Sequence, residues 1–205
     1  AHKPRRVCII SDASWEPGPW LQPKCLLCWM VIPAEGAPWG RSIEPPRELW
    51  SHCKERATQI TVAELLCPLL ALLATPESFA AAAVSAFVDN QPAMAVLVKG
   101  SSKASDLAQL GAATNMLLAL LRSTCWFEWV PSLSNMADGG SRTGPTDRAT
   151  AAAGIQRAWQ DFDPRIIEIL RCPLDELFAA VQQYASSPGP LSSAGPGPPR
   201  RGARG

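Results

Sequence analysis

Histidine is nearly missing from this chain of 205 residues: His2 and His52 are the only two. Neither stands where it would activate Ser14, Ser141 or a cysteine, so nucleophilic catalysis of the triad type lacks its base. Charge imbalance is missing too. Nineteen Lys and Arg face 18 Asp and Glu, a net charge of +1. No global field attracts polyanions, and any nucleic-acid contact must come from a local patch. No uncharged apolar run approaches the roughly 18 residues that a helical membrane span needs. No long apolar stretch follows the basic start AHKPRR, so a signal peptide is not expected. The seven cysteines are odd in number and lie mostly among apolar residues, which predicts buried thiols rather than a disulfide framework. The chain therefore reads as intracellular, cytoplasmic or nuclear, not secreted, with no membrane partner. Residue 1 is Ala, and we expect a fragment or a processed piece.

What is present points to a folded core. Apolar residues make up 47%, with 20 prolines and 8 tryptophans. Residues 186–205 have Gly, Pro or Ser at 14 of 20 positions, a composition that cannot repay its ordering entropy and is expected to be a disordered tail. Residues 146–185 read as a helical extension, with helices over 147–160 and 173–184. In the second, Leu174, Leu177, Phe178 and Val181 form one apolar stripe. Residues 1–145 form the main domain. Apolar runs predict strands at RRVCIISDASW and KCLLCWMVI, then near 39–45, at VSAFV and at CWFEWV. Helices are predicted over 60–74, 92–98 and 104–121, and a short one starts near Ser134 or Asn135. In the helix over 60–74, Thr61 and Glu64 have the spacing of a capping box. Early neighbouring strands suggest hairpins, and later strand–helix–strand order suggests parallel crossovers. The fold class is thus α/β, a mixed sheet with helices on both faces.

Four acids stand at polar positions in otherwise apolar elements: Asp12 after the first apolar run, Glu64 near the start of an apolar helix, Asp89 closing VSAFVD, and Asp138 past CWFEWVP. Strand ends meeting at one edge of an open α/β sheet make the usual site. Clustered carboxylates repel unless a cation offsets them, and hard Mg²⁺ takes oxygen ligands. Each acid alone also has a structural reading, as a turn or helix-start residue.

SDASW (11–15), ITVAELL (60–66), FVDNQPAMAVLVKG (87–100) and WFEWVPSLSNMADGGSR (126–142) resemble, in order, the ribonuclease H domain of retrotransposon polyproteins. The phrase VPSLSNMADGGSR is the most specific. The resemblance covers residues 6–142. It implies a ribonuclease H-like, five-stranded mixed sheet whose first three strands are antiparallel. It implies an endonuclease that cuts the RNA strand of an RNA–DNA hybrid with two Mg²⁺ ions, Mn²⁺ substituting. Asp12, Glu64, Asp89 and Asp138 would be the catalytic, metal-binding acids. Asp12 would bridge both ions, Glu64 and Asp89 would serve the leaving oxygen, and Asp138 the attacking water. A reverse transcriptase domain of the same polyprotein would be a partner. Hybrid contacts are expected from Ser14, Trp15, Asn90, Gln91, Lys99 and Arg142, with Lys103 and Arg122 as further phosphate contacts.

Two alternatives belong to other classes. An integrase or transposase nuclease uses a similar sheet but carries its glutamate after the second aspartate, whereas Glu64 precedes Asp89. A catalytically inactive scaffold domain would not need all four acids. Cys25 and Cys28, with His52 and Cys53, suggest zinc by spacing, but residues three apart on a strand face opposite ways. One of Trp126 and Trp129 is expected to face the core.

Overall fold

The computed structural model describes residues 4–16, 24–143 and 154–186. The chain starts with three strands, β1 (Arg5–Glu16), β2 (Lys24–Pro33) and β3 (Trp39–Ile43), followed by a 3-10 turn over Arg47–His52. Helix α1 (Ile60–Ala74) and the single turn α2 (Pro76–Phe79) lead to β4 (Ala82–Val88). Then come α3 (Gln91–Lys99), α4 (Ser105–Leu120), β5 (Thr124–Trp129) and the short α5 (Asp138–Thr143). The last described elements are β6 (Gln156–Trp159), α6 (Arg165–Arg171) and α7 (Leu177–Ser186).

The sheet has six strands in the order β5-β4-β1-β2-β3-β6. β1, β2 and β3 pair antiparallel, while β4 on β1 and β5 on β4 are parallel. Parallel pairing here is forced by the helices between the strands, which carry the chain back across the sheet. The mixed α/β architecture and its antiparallel opening agree with the sequence reading.

The alternation along β2 shows how the faces divide. Leu27, Trp29 and Val31 enter the main core, while Cys28 and Met30 join a small second cluster with Ala137 and Ile155 on the other face. The main core lies under α1, whose residues Val62 to Ala74 are all buried. A helix apolar all round belongs in an interior, and α1 tolerates Pro68 within it. α4 packs on α1, and α6 and α7 pack on α4. Gly111 lets α3 and α4 approach, since a β-carbon there would lie 2.7 Å from Val96 Cγ1.

Several local expectations are corrected. The sheet has a sixth strand in place of the five expected. The segment 147–160 was expected to be helical, yet its described end forms β6, parallel to β3 from Trp39↔Gln156 to Ser42↔Trp159. An exposed edge of β3 offers backbone partners that outweigh local helix propensity. Thr61 does not cap α1. The cap position is Gln59, without a side-chain bond, and Glu64 turns inward. α7 begins at Leu177 rather than at Pro173, and of the expected stripe only Leu177 and Val181 are buried. Trp126 and Trp129 are both exposed, and the alternating Cys125 and Phe127 pack on the core instead. The tail expectation for 186–205 lies outside the described residues from 187 onward, and Ser186 closes α7. Among the described residues, no helix is long and apolar enough to cross a membrane.

Candidate active site

Sheet topology brings three acids to one place. Asp12 lies within β1, two residues past the last pairing with β4 at Ile10↔Phe87, and Asp89 lies two residues past the same pairing, directly after β4. Parallel pairing puts these two positions side by side. Glu64 comes from the first turns of α1, which packs on β1. One carboxylate oxygen from each of Asp12, Glu64 and Asp89 lies within 4.8 Å of the others.

Each acid is fixed by its own partners. Asp12 is buried, and Asn135 Nδ2 donates to its Oδ1 at 3.2 Å. Ser141 Oγ donates to its Oδ2. Asn135 Nδ2 also reaches the Ser11 carbonyl at 2.9 Å, and Asn135 Oδ1 accepts from Ala137 N at 3.0 Å. One amide thereby ties β1 to the turn before α5. Glu64 Oε1 accepts from Ala13 N at 3.1 Å, while Oε2 is buried without a hydrogen-bond partner. Asp89 is half-buried, and its carbonyl accepts from the Trp129 indole at 2.9 Å.

The electrostatics follow from this crowding. Burial pushes the Asp12 carboxyl up to about 8. The Ser141 hydrogen bond opposes that shift, while Asp89 and Asp138 add to it. Burial, then the charges of Asp12 and Asp89, raise Glu64 well above the usual carboxylate range against the pull of the Ala13 N–H. Desolvated acids with an orphaned carboxylate oxygen form a donor set that fits a hard divalent cation.

Asp138 stands apart from the three. It opens α5 and is forked by Arg142, whose Nη2 lies 2.8 Å and Nε 2.9 Å from it. It still lines the same cavity of about 730 Å³ as Asp12, Glu64 and Asp89. Ser14, Trp15, Asn90 and Arg142 line that cavity as well. Ser14 Oγ donates to the Ser141 carbonyl at 2.6 Å, and Trp15 meets Trp50 edge-on at 4.7 Å. Asn90 caps α3, its Oδ1 accepting from Ala93 N at 2.9 Å. Gln91 and Lys99 sit exposed at the two ends of α3, outside the cavity lining. Cys25 and Cys28 lie on opposite faces of the sheet, in separate clusters, and form no shared ligand set.

Sequence reading did not assign Asn135 and Ser141 as the anchors of Asp12, although both stand in the NMADGGSR phrase. It also missed β6. Arg157 on that strand donates from Nη2 to Cys28 Sγ at 2.9 Å and to Ser42 Oγ at 3.3 Å. Ser42 Oγ in turn donates to the Gly140 carbonyl at 3.3 Å, which holds α5 to the sheet. No sequence signal short of the strand pairing itself would have found this.

The structure is similar to the N-terminal ribonuclease H domain of a Mycobacterium tuberculosis protein, solved as a fusion with maltose binding protein. Identity is 20% and the TM-score 0.50, over 73% of this chain and 99% of that one. It is also similar to ribonuclease H1 of the archaeon Halobacterium salinarum, at 21% identity and a TM-score of 0.49, over 68% and 96% of the two chains. Prototype foamy virus protease–reverse transcriptase matches at 11% identity and a TM-score of 0.40, over 73% of this chain and 20% of that one. No protein-family model matches the chain. No curated protein matches it. The likeness to the Mycobacterium tuberculosis domain gives the fold: it is ribonuclease H-like.

Proposed function

We propose that this chain is a divalent-metal-dependent endonuclease that hydrolyses the RNA strand of RNA–DNA hybrids. The observation that carries the reading is the convergence of Asp12, Glu64 and Asp89 within 4.8 Å at the end of a ribonuclease H-like sheet. Two Mg²⁺ ions held by these acids would supply charge neutralisation at the phosphate and a water of lowered pKa. The chain's own residues do the rest. Asn135 and Ser141 fix the Asp12 carboxylate, so its oxygens need no reorganisation when the ligand arrives. The Ala13 N–H orients Glu64 and leaves its second oxygen to face the cluster. Asp138 exchanges Arg142 for the site, and the freed guanidinium, exposed at the rim, meets the phosphate backbone. Ser14, Trp15 and Asn90 line the groove that receives the hybrid. Gln91 and Lys99 serve only if the duplex extends along α3.

The four sequence phrases support a place in the replication polyprotein of a reverse-transcribing element, beside a reverse transcriptase domain. The test is cleavage of an end-labelled hybrid by the purified chain, with Asp89→Asn as control. We expect Mg²⁺-dependent RNA fragments from the wild type and none from the variant. Equal activity of the two, or cleavage that survives chelation, would overturn the assignment.

A further inference from the structure

Next to the acid-lined cavity lies a second one, of about 370 Å³, lined by Glu44, Trp159, Gln160, Asp161 and Phe162. Glu44 and Trp159 line both, so the two spaces share a wall. Strand register explains this. Asp12 pairs with Cys28, Cys28 with Ser42 and Ser42 with Trp159, which puts Trp159 in the row of the first catalytic acid. Three strand spacings of ~4.8 Å separate them, roughly 14 Å. At ~3.4 Å of helix axis per nucleotide in B-form DNA, and less in an A-like hybrid, that is at least about four base steps.

The lining is not suited to a phosphate. Glu44 and Asp161 are exposed carboxylates, and they repel a nucleic-acid backbone. It is suited to a base. Trp159 is 58% exposed although it belongs to a paired strand, and Phe162 supplies a second ring. Gln160 Nε2 is buried without a hydrogen-bond partner, an orphaned donor of the kind a base acceptor satisfies. The carboxylates accept from exocyclic amino groups of adenine, cytosine or guanine, which uracil and thymine lack.

We propose that this cavity is a nucleobase pocket. It takes one unpaired, amino-bearing base of the nucleic acid whose duplex lies over Asp12, Glu64 and Asp89, with Trp159 as its stacking platform. The inference rests on the nucleic-acid reading of the neighbouring site. Its substrate class is a hybrid with a single-stranded extension, since bases inside a duplex offer no free face.

The experiment measures binding by fluorescence anisotropy in the Asp89→Asn background, so that the probe is not consumed. The probes are a blunt RNA–DNA hybrid and the same hybrid with four-nucleotide adenosine or uridine extensions at either end of each strand. For one of these ends we expect the adenosine extension to tighten binding about tenfold or more over blunt. That ratio falls toward one in Trp159→Ala, is largely kept in Trp159→Phe, and is smaller for uridine. Blunt and extended probes bound equally well, a ratio that survives Trp159→Ala, or a uridine advantage matching that of adenosine overturns the pocket alone. Failure to bind any hybrid, by a chain that melts cooperatively, overturns the nucleic-acid reading beneath it.

Discussion

The metal-free protein should be more stable at pH 5 than at pH 8.5, and Asp12→Asn should erase much of the difference. Burial raises the Asp12 pKa from 3.8 to about 8. Between those values the folded state holds a proton that the unfolded chain releases. Linkage then makes stability fall as pH rises through that window and level off above it. The interval from pH 5 to that pKa is about 3 pH units, and at 1.36 kcal/mol each it sets a ceiling of about 4 kcal/mol on the difference. Relaxation of the cluster and entry of water reduce this, and a net loss of at least about 2 kcal/mol is expected. Glu64 is shifted in the same direction and adds to it. Urea unfolding in a chelator reads the effect. With a slope of ~2 kcal/mol per molar, the midpoint should drop by about 1 M from pH 5 to pH 8.5. In Asp12→Asn the drop should shrink, and at pH 8.5 the variant should be the more stable protein. Millimolar Mg²⁺ at pH 8.5 should restore the wild type by at least about 1 kcal/mol and leave Asp12→Asn little changed. Parallel pH profiles for the two proteins, or a wild type steadier at pH 8.5 than at pH 5, would refute the buried-charge argument.

Asn135→Ala removes a donor to Asp12 without touching an acid, and hybrid cleavage should fall about 10- to 100-fold, while the Ser11 carbonyl and Ala137 N–H that lose their partner should cost about 1–3 kcal/mol of stability. Asp106→Ala leaves Arg56 without its fork at 2.6 and 2.7 Å and strips the Lys54 N–H of its acceptor. Thermal melting should report a loss of about 3 kcal/mol, while Asp106→Asn should lose less. Gly140→Ala places a methyl where Arg157 Nη2 and Cys28 Sγ now lie. Arg157 must swing away and give up its bonds to Cys28 and Ser42, which loosens α5 on the sheet, so cleavage should drop about tenfold while circular dichroism shows the helices intact.

Much of the fold was legible because its elements are strongly apolar. Val7 to Ile10, Leu26 to Ile32 and Val84 to Val88 are short, mostly apolar runs of strand length bounded by polar or turn residues, and Ile60 to Ala74 is long enough to be a buried helix. β6 was not legible. QRAW carries no strand pattern and follows an alanine-rich stretch, and it becomes a strand only because β3 would otherwise end the sheet with open backbone groups. The capping-box spacing of Thr61 and Glu64 misled for a related reason. A buried charge cluster competes for Glu64, and the backbone N–H that satisfies it belongs to Ala13 on another element.

The acids were legible one by one as polar residues at the ends of apolar runs. Their convergence was not, because spacing in sequence says nothing about which strands are neighbours. Parallel pairing of β1 and β4 decides it, and a swap of strand order would have left Asp12 and Asp89 apart. Asp138 shows the limit of both views. It shares the cavity, but Arg142 lies four residues on along the same helix and neutralises it. The three acids on β1, α1 and β4 are set by the core, while the fourth rides on a six-residue helix tied to the sheet through Ser42 and Arg157. A ligand that draws Asp138 inward therefore works against one exposed ion pair, worth about 1 kcal/mol or less, and not against the packing of the domain.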